Sequence, residues 1–199
     1  MRFCHCRKDA HKDYETVTDT VASSGCKKAP IMPGEGIIVQ RIMTHFSQIL
    51  PVKNVVLDLE CSSKKRAFEQ AGLIFENNCG IARSTVSDNL FARERLGSTG
   101  LGHGVAVPHG RIRGLKAPLA AFVRLSEPIP FESPDGEPVK LLIFLLIPDN
   151  VTQQHLEILS EIAEMFSDKA FRVSMTEDVD ATSLHQRLVS WQPSERSAA

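Results

Sequence analysis

The sequence predicts an α/β protein in which a central mixed β-sheet is flanked by helices on both faces. Segments with helical periodicity occur on both sides of the middle of the chain. Between them lie short apolar segments of strand length, and the strongest, 141–147, is apolar throughout, which is typical of a strand buried on both faces. Because helices before and after the strands must bury their apolar faces, a layered sheet covered by helices is expected.

The chain divides into one domain and two flanking segments. Residues 1–42 are polar, carry scattered charges and show no sustained periodicity, which predicts a disordered N-terminal extension. Met43 is a plausible alternative start, since compact patterning begins just after it. The 199 residues, 42% of them hydrophobic, suffice for a single core. We therefore expect the domain over 43–192 and a polar, disordered tail over 193–199.

Two helices are predicted in the first half of the domain. Ser62 or Ser63 can cap the first helix, and Gly80 can end it. Ser84 can cap the second helix, which is expected to end before Gly97. The residues expected to face inward are Ala67, Ala71, Ile74 and Phe75 in the first helix and Val86 and Leu90 in the second.

The second half predicts three strands and two more helices. The predicted strands are Val105–Val107, Leu119–Leu125 and Leu141–Ile147, with a turn-rich segment over 126–138. Thr152 can cap the next helix, and a last helix is expected over 182–191. The residues expected to face inward are Leu156, Leu159, Ala163 and Phe166, then Leu184 and Leu188.

Composition excludes several classes of function. A net charge of −1 provides no general attraction to nucleic acid or to an anionic membrane. The one basic cluster, Lys64 to Arg66, opens a helix and fits a solvated helix face. The longest strongly apolar run, 139–147, is interrupted by Lys140 and is far shorter than the roughly 20 residues of a membrane span, and no signal-peptide core follows the N-terminus. A cytoplasmic protein without nucleic-acid partners is expected.

The cysteines indicate neither a disulfide framework nor a metal centre. Five cysteines is an odd number for a paired framework. Cys4 and Cys6, with two histidines nearby, have C-x-C rather than C-x2-C spacing, and no second pair follows at zinc-ribbon distance. Cys61 and Cys79 flank the first predicted helix and are expected to be half-buried thiols. No metal or cofactor is therefore expected.

A glycine-rich loop is the most distinctive motif of the sequence. Glycines at 97, 100, 102 and 104 precede the predicted strand and the tripeptide Pro108-His109-Gly110. Such density predicts unusual backbone angles or close approach by another group, and the loop amides could line an anion site. The loop lacks a Walker-type Gly-Lys-Ser/Thr, and its spacing does not fit a dinucleotide fingerprint. Candidate phosphate contacts in it are Ser98, Thr99, Gly100 and His103.

His109 is the candidate nucleophile. Pro108 fixes the chain before it and Gly110 permits a tight turn after it, which predicts an exposed ring at a strand end. Imidazole has a pKa near neutrality, so an unprotonated nitrogen is available for covalent catalysis. His155, at a helix opening, and Arg93, a planar cation, could hold an oxyanion beside it. A histidine that merely occupies a turn, and a metal site, remain alternatives from these residues alone; a metal site would join His109 and His155 to His103.

The segment from Leu90 to Gly110, LFARERLGSTGLGHGVAVPHG, resembles the active-site block of type-2 IIA domains of the phosphoenolpyruvate-dependent phosphotransferase system. The likeness extends over about 49–191 and includes Ser62-Ser63-Lys-Lys-Arg-Ala and Gln154-His155-Leu. The Gly-Ser-Thr-Gly motif is most similar to the nitrogen-regulatory branch of this family, and the mannitol and fructose IIA domains are further relatives.

The resemblance implies a phosphotransferase component with a mixed sheet between helices. It implies that His109 is phosphorylated through Nε2, that His155 is the second active-site histidine, and that Arg93 helps hold the phosphate. The donor would be an HPr-like phosphocarrier, charged from phosphoenolpyruvate through enzyme I. Regulatory targets would be components of potassium transport or sensor kinases; the alternative is a detached IIA subunit of a fructose- or mannitol-type transporter.

Two features depart from the pattern of this family. His103 stands where relatives carry Asn or an acidic residue, and we expect its ring to point to solvent. Residues 1–42 have no counterpart in the family pattern, so the resemblance implies nothing about them.

Overall fold

The computed structural model describes residues 44–150 and 153–192. The expectations for the N-terminal extension, including Met43 and the Cys4/Cys6 pair, for the Thr152 cap and for the tail lie outside these ranges. The helices are α1 (His45–Ile49), α2 (Lys64–Cys79), α3 (Arg83–Glu94), α4 (Gln153–Ser167), α5 (Lys169–Glu177) and α6 (Ala181–Ser190), with a 3-10 turn at Val52–Asn54. The strands are β1 (Val55–Leu59), β2 (Gly100–Gly102), β3 (Val105–Ala106), β4 (His109–Ile112), β5 (Leu119–Ile129) and β6 (Val139–Pro148).

The strands form one mixed sheet in the order β1-β5-β6-β3-β2. β5 runs antiparallel to its neighbour β6, and β1 runs parallel to β5. β3 and β4 both pair with β6 in parallel, one after the other along the same edge: Val105 lies opposite Leu141 and His109 opposite Leu145. β2 pairs antiparallel with β3. The predicted mixed sheet is therefore confirmed, and His109 opens a strand that lies directly against the central strand.

Helices cover both faces of this sheet, as predicted, and alternate residues of β6 enter two separate cores. On one face the core contains residues of α1, α4, α5 and α6, and on the other face residues of α2 and α3. Over 141–147 the β6 side chains in the first core are Leu141, Ile143, Leu145 and Ile147, and those in the second are Leu142, Phe144 and Leu146; Val139, at the start of the strand, also lies in the second core. Because side chains of a strand alternate between faces, this continuous apolar run requires cover on both sides.

Helix α2 begins and ends where the sequence predicts. The Ser63 hydroxyl accepts from the Arg66 amide at 3.3 Å, and Gly80 ends the helix in the left-handed conformation at φ 71°. Cys61 and Cys79 are half-buried, as expected. The sequence places this helix correctly because both of its ends depend on local backbone chemistry.

The predicted start of α3 at a Ser84 cap is wrong. The helix begins at Arg83 with Ala82 at the N-cap position, where the side chain cannot accept a hydrogen bond. Instead the Glu76 carboxylate of α2 accepts from the Arg83 amide at 3.2 Å. A tertiary contact thus replaces the local cap, while Val86 and Leu90 are buried as predicted.

The predicted inward face of α4 is also wrong in part. Leu156 and Ala163 are exposed, Leu159 is partly buried against the core, and Phe166 is buried as expected. The other residues buried on this helix are Ile158, Ile162 and Met165. The helix carries apolar residues on more than one side, and only the side that meets the sheet is covered.

Five helices and strands are not predicted by the sequence patterns; they are α1, β1, β2, β4 and α5. α1 and β1 each contain five residues, too few for a sustained period, and α5 follows α4 after the single residue Asp168. The glycines of β2 form a strand where a loop is expected, and β5 continues four residues beyond Leu125 to Ile129. Leu184 and Leu188 of α6 are buried as predicted. No helix in the described ranges has the length and apolar character needed to cross a membrane.

Candidate functional site

Backbone hydrogen bonds fix one ring nitrogen of His109 and the chain just before it. Its Nδ1 lies 3.0 Å from the carbonyl oxygen of Val107, and the carbonyl of Pro108 accepts from the Leu145 amide of β6 at 2.9 Å. A carbonyl oxygen can only accept, so Nδ1 must carry the proton of the neutral ring. The ring is partly buried at the start of β4, not exposed as expected from the sequence.

Arg93 fixes the other ring nitrogen. It lies in the last turn of α3, and its Nε donates to His109 Nε2 at 3.0 Å, while its Nη1 donates to the Gly97 carbonyl at 3.0 Å. Because Nε2 accepts this bond, it carries a lone pair. Two independent contacts therefore specify the same tautomer, with the proton on Nδ1 and the nucleophilic lone pair on Nε2.

The environment keeps this imidazole neutral. Burial lowers the pKa of His109 below its ordinary value, and the charges of Arg93 and His155 lower it further. The hydrogen bond to the Val107 carbonyl and the charge of Glu94 act in the opposite direction but do not outweigh burial. The unprotonated, nucleophilic form of His109 is consequently retained to lower pH than that of an ordinary histidine.

A cavity of about 470 Å³ opens at His109. Its lining consists of Asn89, Ala92, Arg93, Leu96, His109, Gly110, Arg111, Ile147 and His155. The lining contains two guanidinium groups and two imidazoles but no carboxylate, which suits a small dianion such as a phosphoryl group. The structure thus brings together the three predicted residues His109, Arg93 and His155.

The lining also includes Arg111 and Leu96, which the sequence reasoning missed. Arg111 follows His109 by two positions in β4, and the period of two in a strand places both side chains on one face. That spacing was a signal available in the sequence. Leu96 lies at the rim with 84% of its side chain exposed, and no periodic pattern identifies such a residue.

Four other predicted phosphate contacts lie outside this lining; they are Ser98, Thr99, Gly100 and His103. Two of the loop amides expected to bind an anion instead donate to carboxylates of the chain itself. The Thr99 amide donates to Glu94 at 3.1 Å, and the His103 amide donates to Asp135 at 2.6 Å. His103 is exposed, and it lines a different cavity from His109 and His155, so the hypothetical three-histidine metal site is not assembled. Across the described residues, no cluster of three or more His, Cys, Asp or Glu is arranged to hold a metal.

Gly110 has a different role from the one predicted. It lies within β4 rather than in a tight turn. A Cβ placed on it would lie 3.1 Å from the carbonyl carbon of Asn89 and 3.2 Å from the amide nitrogen of Leu90, both in the backbone of α3. Glycine therefore allows α3 to approach the strand closely, and this approach places Arg93 beside His109.

A larger cavity of about 770 Å³ lies beside α2 at Cys61. Its lining includes the carboxylates of Glu60 and Glu127 together with Arg66. Opposed charges in that lining do not select a dianion, and no histidine lines it. The His109 cavity is therefore the stronger candidate site despite its smaller volume.

Comparison with known proteins gives a consistent result. Residues 48–190 match the family model described as "Phosphoenolpyruvate-dependent sugar phosphotransferase system, EIIA 2". A nitrogen regulatory protein of Pseudomonas aeruginosa is 38% identical over 151 residues, covering 75% of this chain and 98% of that protein. The crystal structure of nitrogen regulatory protein IIA-Ntr from Neisseria meningitidis is 48% identical with a TM-score of 0.68, covering 71% of this chain and 97% of that one. A fructose-specific EIIA component of Haloferax volcanii is 29% identical over 142 residues, 68% of this chain and 88% of that protein.

Proposed function

The chain belongs to the EIIA 2 family of the phosphoenolpyruvate-dependent sugar phosphotransferase system, and we propose that it is a regulatory member phosphorylated on His109. One observation carries the proposal: the ring nitrogen Nε2 of His109 carries a lone pair, held by Arg93, in a cavity lined by cationic side chains, while Nδ1 is fixed as a donor. A neutral imidazole held in this way has the properties of a covalent phosphoryl carrier.

In the proposed reaction the donor is a phosphohistidine on an HPr-like carrier, itself charged through enzyme I. The Nε2 lone pair of His109 attacks phosphorus, and the N–P bond of the carrier breaks with its electron pair returning to the carrier's ring. The other nitrogen of that ring is protonated, so the ring leaves as a neutral imidazole. The proton on Nδ1 stays in its hydrogen bond to Val107, so the transfer requires no separate acid or base. What it requires is stabilisation of charge on the phosphoryl oxygens.

Arg93 has two successive roles in this mechanism. Its Nε lies against the Nε2 lone pair of His109, so it must withdraw before phosphorus can approach. The displaced guanidinium then faces the phosphoryl oxygens together with Arg111 and His155, which line the same cavity. Planar guanidinium groups match the geometry of phosphate oxygens, which is why arginine suits this role better than lysine.

The regulatory assignment rests on the relatives named as nitrogen regulatory proteins. Phosphorylation adds a charge of about −1.5 to −2. It would do so at a surface where the apolar side chain of Leu96 is exposed, so the phosphorylated and unphosphorylated forms would bind different partners. We propose components of potassium transport or sensor kinases as the class of partner.

Phosphoryl transfer in vitro tests the proposal. Labelled phosphoenolpyruvate, enzyme I and the HPr-like carrier are expected to label the wild type with an acid-labile phosphoryl group. His109→Ala should remain unlabelled, whereas His103→Ala, which alters an exposed histidine outside the cavity, should label normally. An unlabelled wild type, or equal labelling of His109→Ala, would refute the proposal.

A second candidate function is that of a detached IIA component that passes the phosphoryl group to a sugar transporter. The observation in its favour is the similarity to the fructose-specific EIIA component. Deletion of the gene distinguishes the two functions. A specific loss of fructose or mannitol uptake favours the transporter role, while normal uptake with altered partner activity favours regulation.

A further inference from the structure

We propose that Glu94 is a positioning residue for this phosphoryl transfer, acting through the glycine-rich loop to hold Arg93 beside Nε2 of His109. The inference rests on the proposed function of His109 but adds a residue that does not line the cavity. Glu94 is the last residue of α3 and immediately follows Arg93.

The carboxylate of Glu94 is buried and paired. Only 8% of its side chain is exposed, and its Oε1 accepts from Lys64 Nζ at 2.8 Å. The ammonium group of Lys64 also lies 4.4 Å from the centre of the Phe131 ring. The expectation that Lys64 belongs to a solvated face is therefore wrong, because this lysine turns inward to neutralise Glu94. Burying such a pair is costly unless the remaining acceptor sites are filled.

The second carboxylate oxygen of Glu94 has its acceptor sites filled by Thr99, and these bonds close the segment 94–99 into a loop. Glu94 Oε2 accepts from both the amide of Thr99 at 3.1 Å and the hydroxyl of Thr99 at 2.6 Å. Thr99 is buried, so water does not compete readily for these bonds. One carboxylate oxygen thus joins the two ends of the segment 94–99.

The segment 94–99 also provides the second hydrogen-bond acceptor for Arg93, the carbonyl of Gly97. Within it, the Gly97 amide donates to the Glu94 carbonyl at 3.1 Å, and the Gly97 carbonyl accepts from Arg93 Nη1 at 3.0 Å. The guanidinium of Arg93 therefore donates both to the Gly97 carbonyl and to the imidazole of His109. When the phosphoryl group displaces Arg93 from Nε2, the Gly97 carbonyl is the contact that remains to direct the guanidinium, and Glu94 fixes the loop that presents it.

The chain offers a matched pair of substitutions to test this role. Glu94→Gln keeps the size of the side chain and an oxygen for Thr99 but removes the charge facing Lys64. Glu132→Gln is the control, since the Glu132 carboxylate also pairs with Lys64, at 3.0 Å, yet has 84% of its side chain exposed. Thr99→Val removes the hydroxyl donor, and Thr99→Ser restores it. If Glu94→Gln folds poorly, Thr99→Val and Thr99→Ser still test the role of Glu94, because they change only its hydroxyl donor.

Two measurements are needed on each variant. Steady-state phosphorylation by the HPr-like carrier separates kcat from KM, and ¹⁵N spectra of the unphosphorylated protein report the tautomer of His109. We expect Glu94→Gln and Thr99→Val to lower kcat about tenfold, because small misplacements of reacting groups slow the reaction strongly. KM should stay within about twofold of the wild-type value. Their spectra should show a reduced fraction of the Nδ1–H tautomer. Thr99→Ser and Glu132→Gln should match wild type in both.

Wild-type kcat and imidazole spectra in folded Glu94→Gln and Thr99→Val would overturn the inference. It would also be overturned if kcat fell only in proportion to the folded fraction measured by circular dichroism. Failure of the proposed function is distinguishable, because the wild type itself would then remain unlabelled. In that case the tautomer spectra alone decide whether Glu94 positions Arg93.

Discussion

The close packing of α3 on β4 at Gly110 supports the site, and Gly110→Ala perturbs it directly. The added Cβ would lie 3.1 Å from the carbonyl carbon of Asn89 and 3.2 Å from the amide nitrogen of Leu90. Both atoms belong to helix backbone, so relief requires the helix to move rather than a side chain to rotate. Overpacking of this kind costs about 1–3 kcal/mol. For a chain of this size each kcal/mol lowers the melting temperature by about 2–4 °C, so a fall of roughly 2–12 °C is expected.

Because Arg93 lies on the helix that must move, Gly110→Ala should also slow phosphorylation of His109. Thermal unfolding is followed by circular dichroism, and labelling by the carrier is measured where the variant is fully folded. Gly72→Ala is the matched control: its Cβ would lie 2.8 Å from the Arg83 carbonyl, at the opposite end of α3. This control should lose stability and keep its labelling rate. Wild-type behaviour of Gly110→Ala, or equally slow labelling in both variants, would refute the reasoning.

Three further predictions concern pH and stability. An NMR titration should give His109 a pKa below the ordinary histidine value. Arg93→Ala should raise that pKa because it removes a charge that opposes protonation. As the pH falls, the variant should therefore lose its labelling at a higher pH than the wild type does. Ser63→Ala should lower the free energy of unfolding by about 1 kcal/mol in urea titrations, whereas Ser62→Ala, which removes no cap, should leave it unchanged. Arg124→Leu should cost about 1–3 kcal/mol in the same measurement without slowing labelling, because the buried guanidinium donates to three backbone carbonyls at the end of α5.

Features that depend on nearby residues are the ones the sequence predicts well. The ends of α2 follow from Ser63 and Gly80, whose side chain or backbone acts within one helical turn. The apolar run of β6 indicates a strand covered on both faces because alternation within a strand is a local property. The grouping of His109 with Arg93 comes from a long motif resemblance, and their 3.0 Å contact agrees with it.

Features that depend on distant residues are the ones the sequence misplaces. Ser84 is an acceptable cap in isolation, but Glu76 of the preceding helix supplies the acceptor one residue earlier. Lys64 belongs to a basic cluster in sequence, yet its partner Glu94 lies thirty positions away. Gly110 suggests a turn because turns are the commoner use of glycine, whereas its neighbours in space belong to α3. None of these pairings leaves a periodic signal.

The identity of the phosphorylated nitrogen is the most direct test of the central claim. Protein labelled with ¹⁵N in its histidines is phosphorylated through the HPr-like carrier, and the N–P bond is located by ¹⁵N and ³¹P spectroscopy with His109→Ala for assignment. Because the Val107 carbonyl holds the proton on Nδ1 and leaves the lone pair on Nε2, beside Arg93, the phosphoryl group is predicted on Nε2 of His109. A phosphoryl group on Nδ1, or on any other residue, would contradict the account.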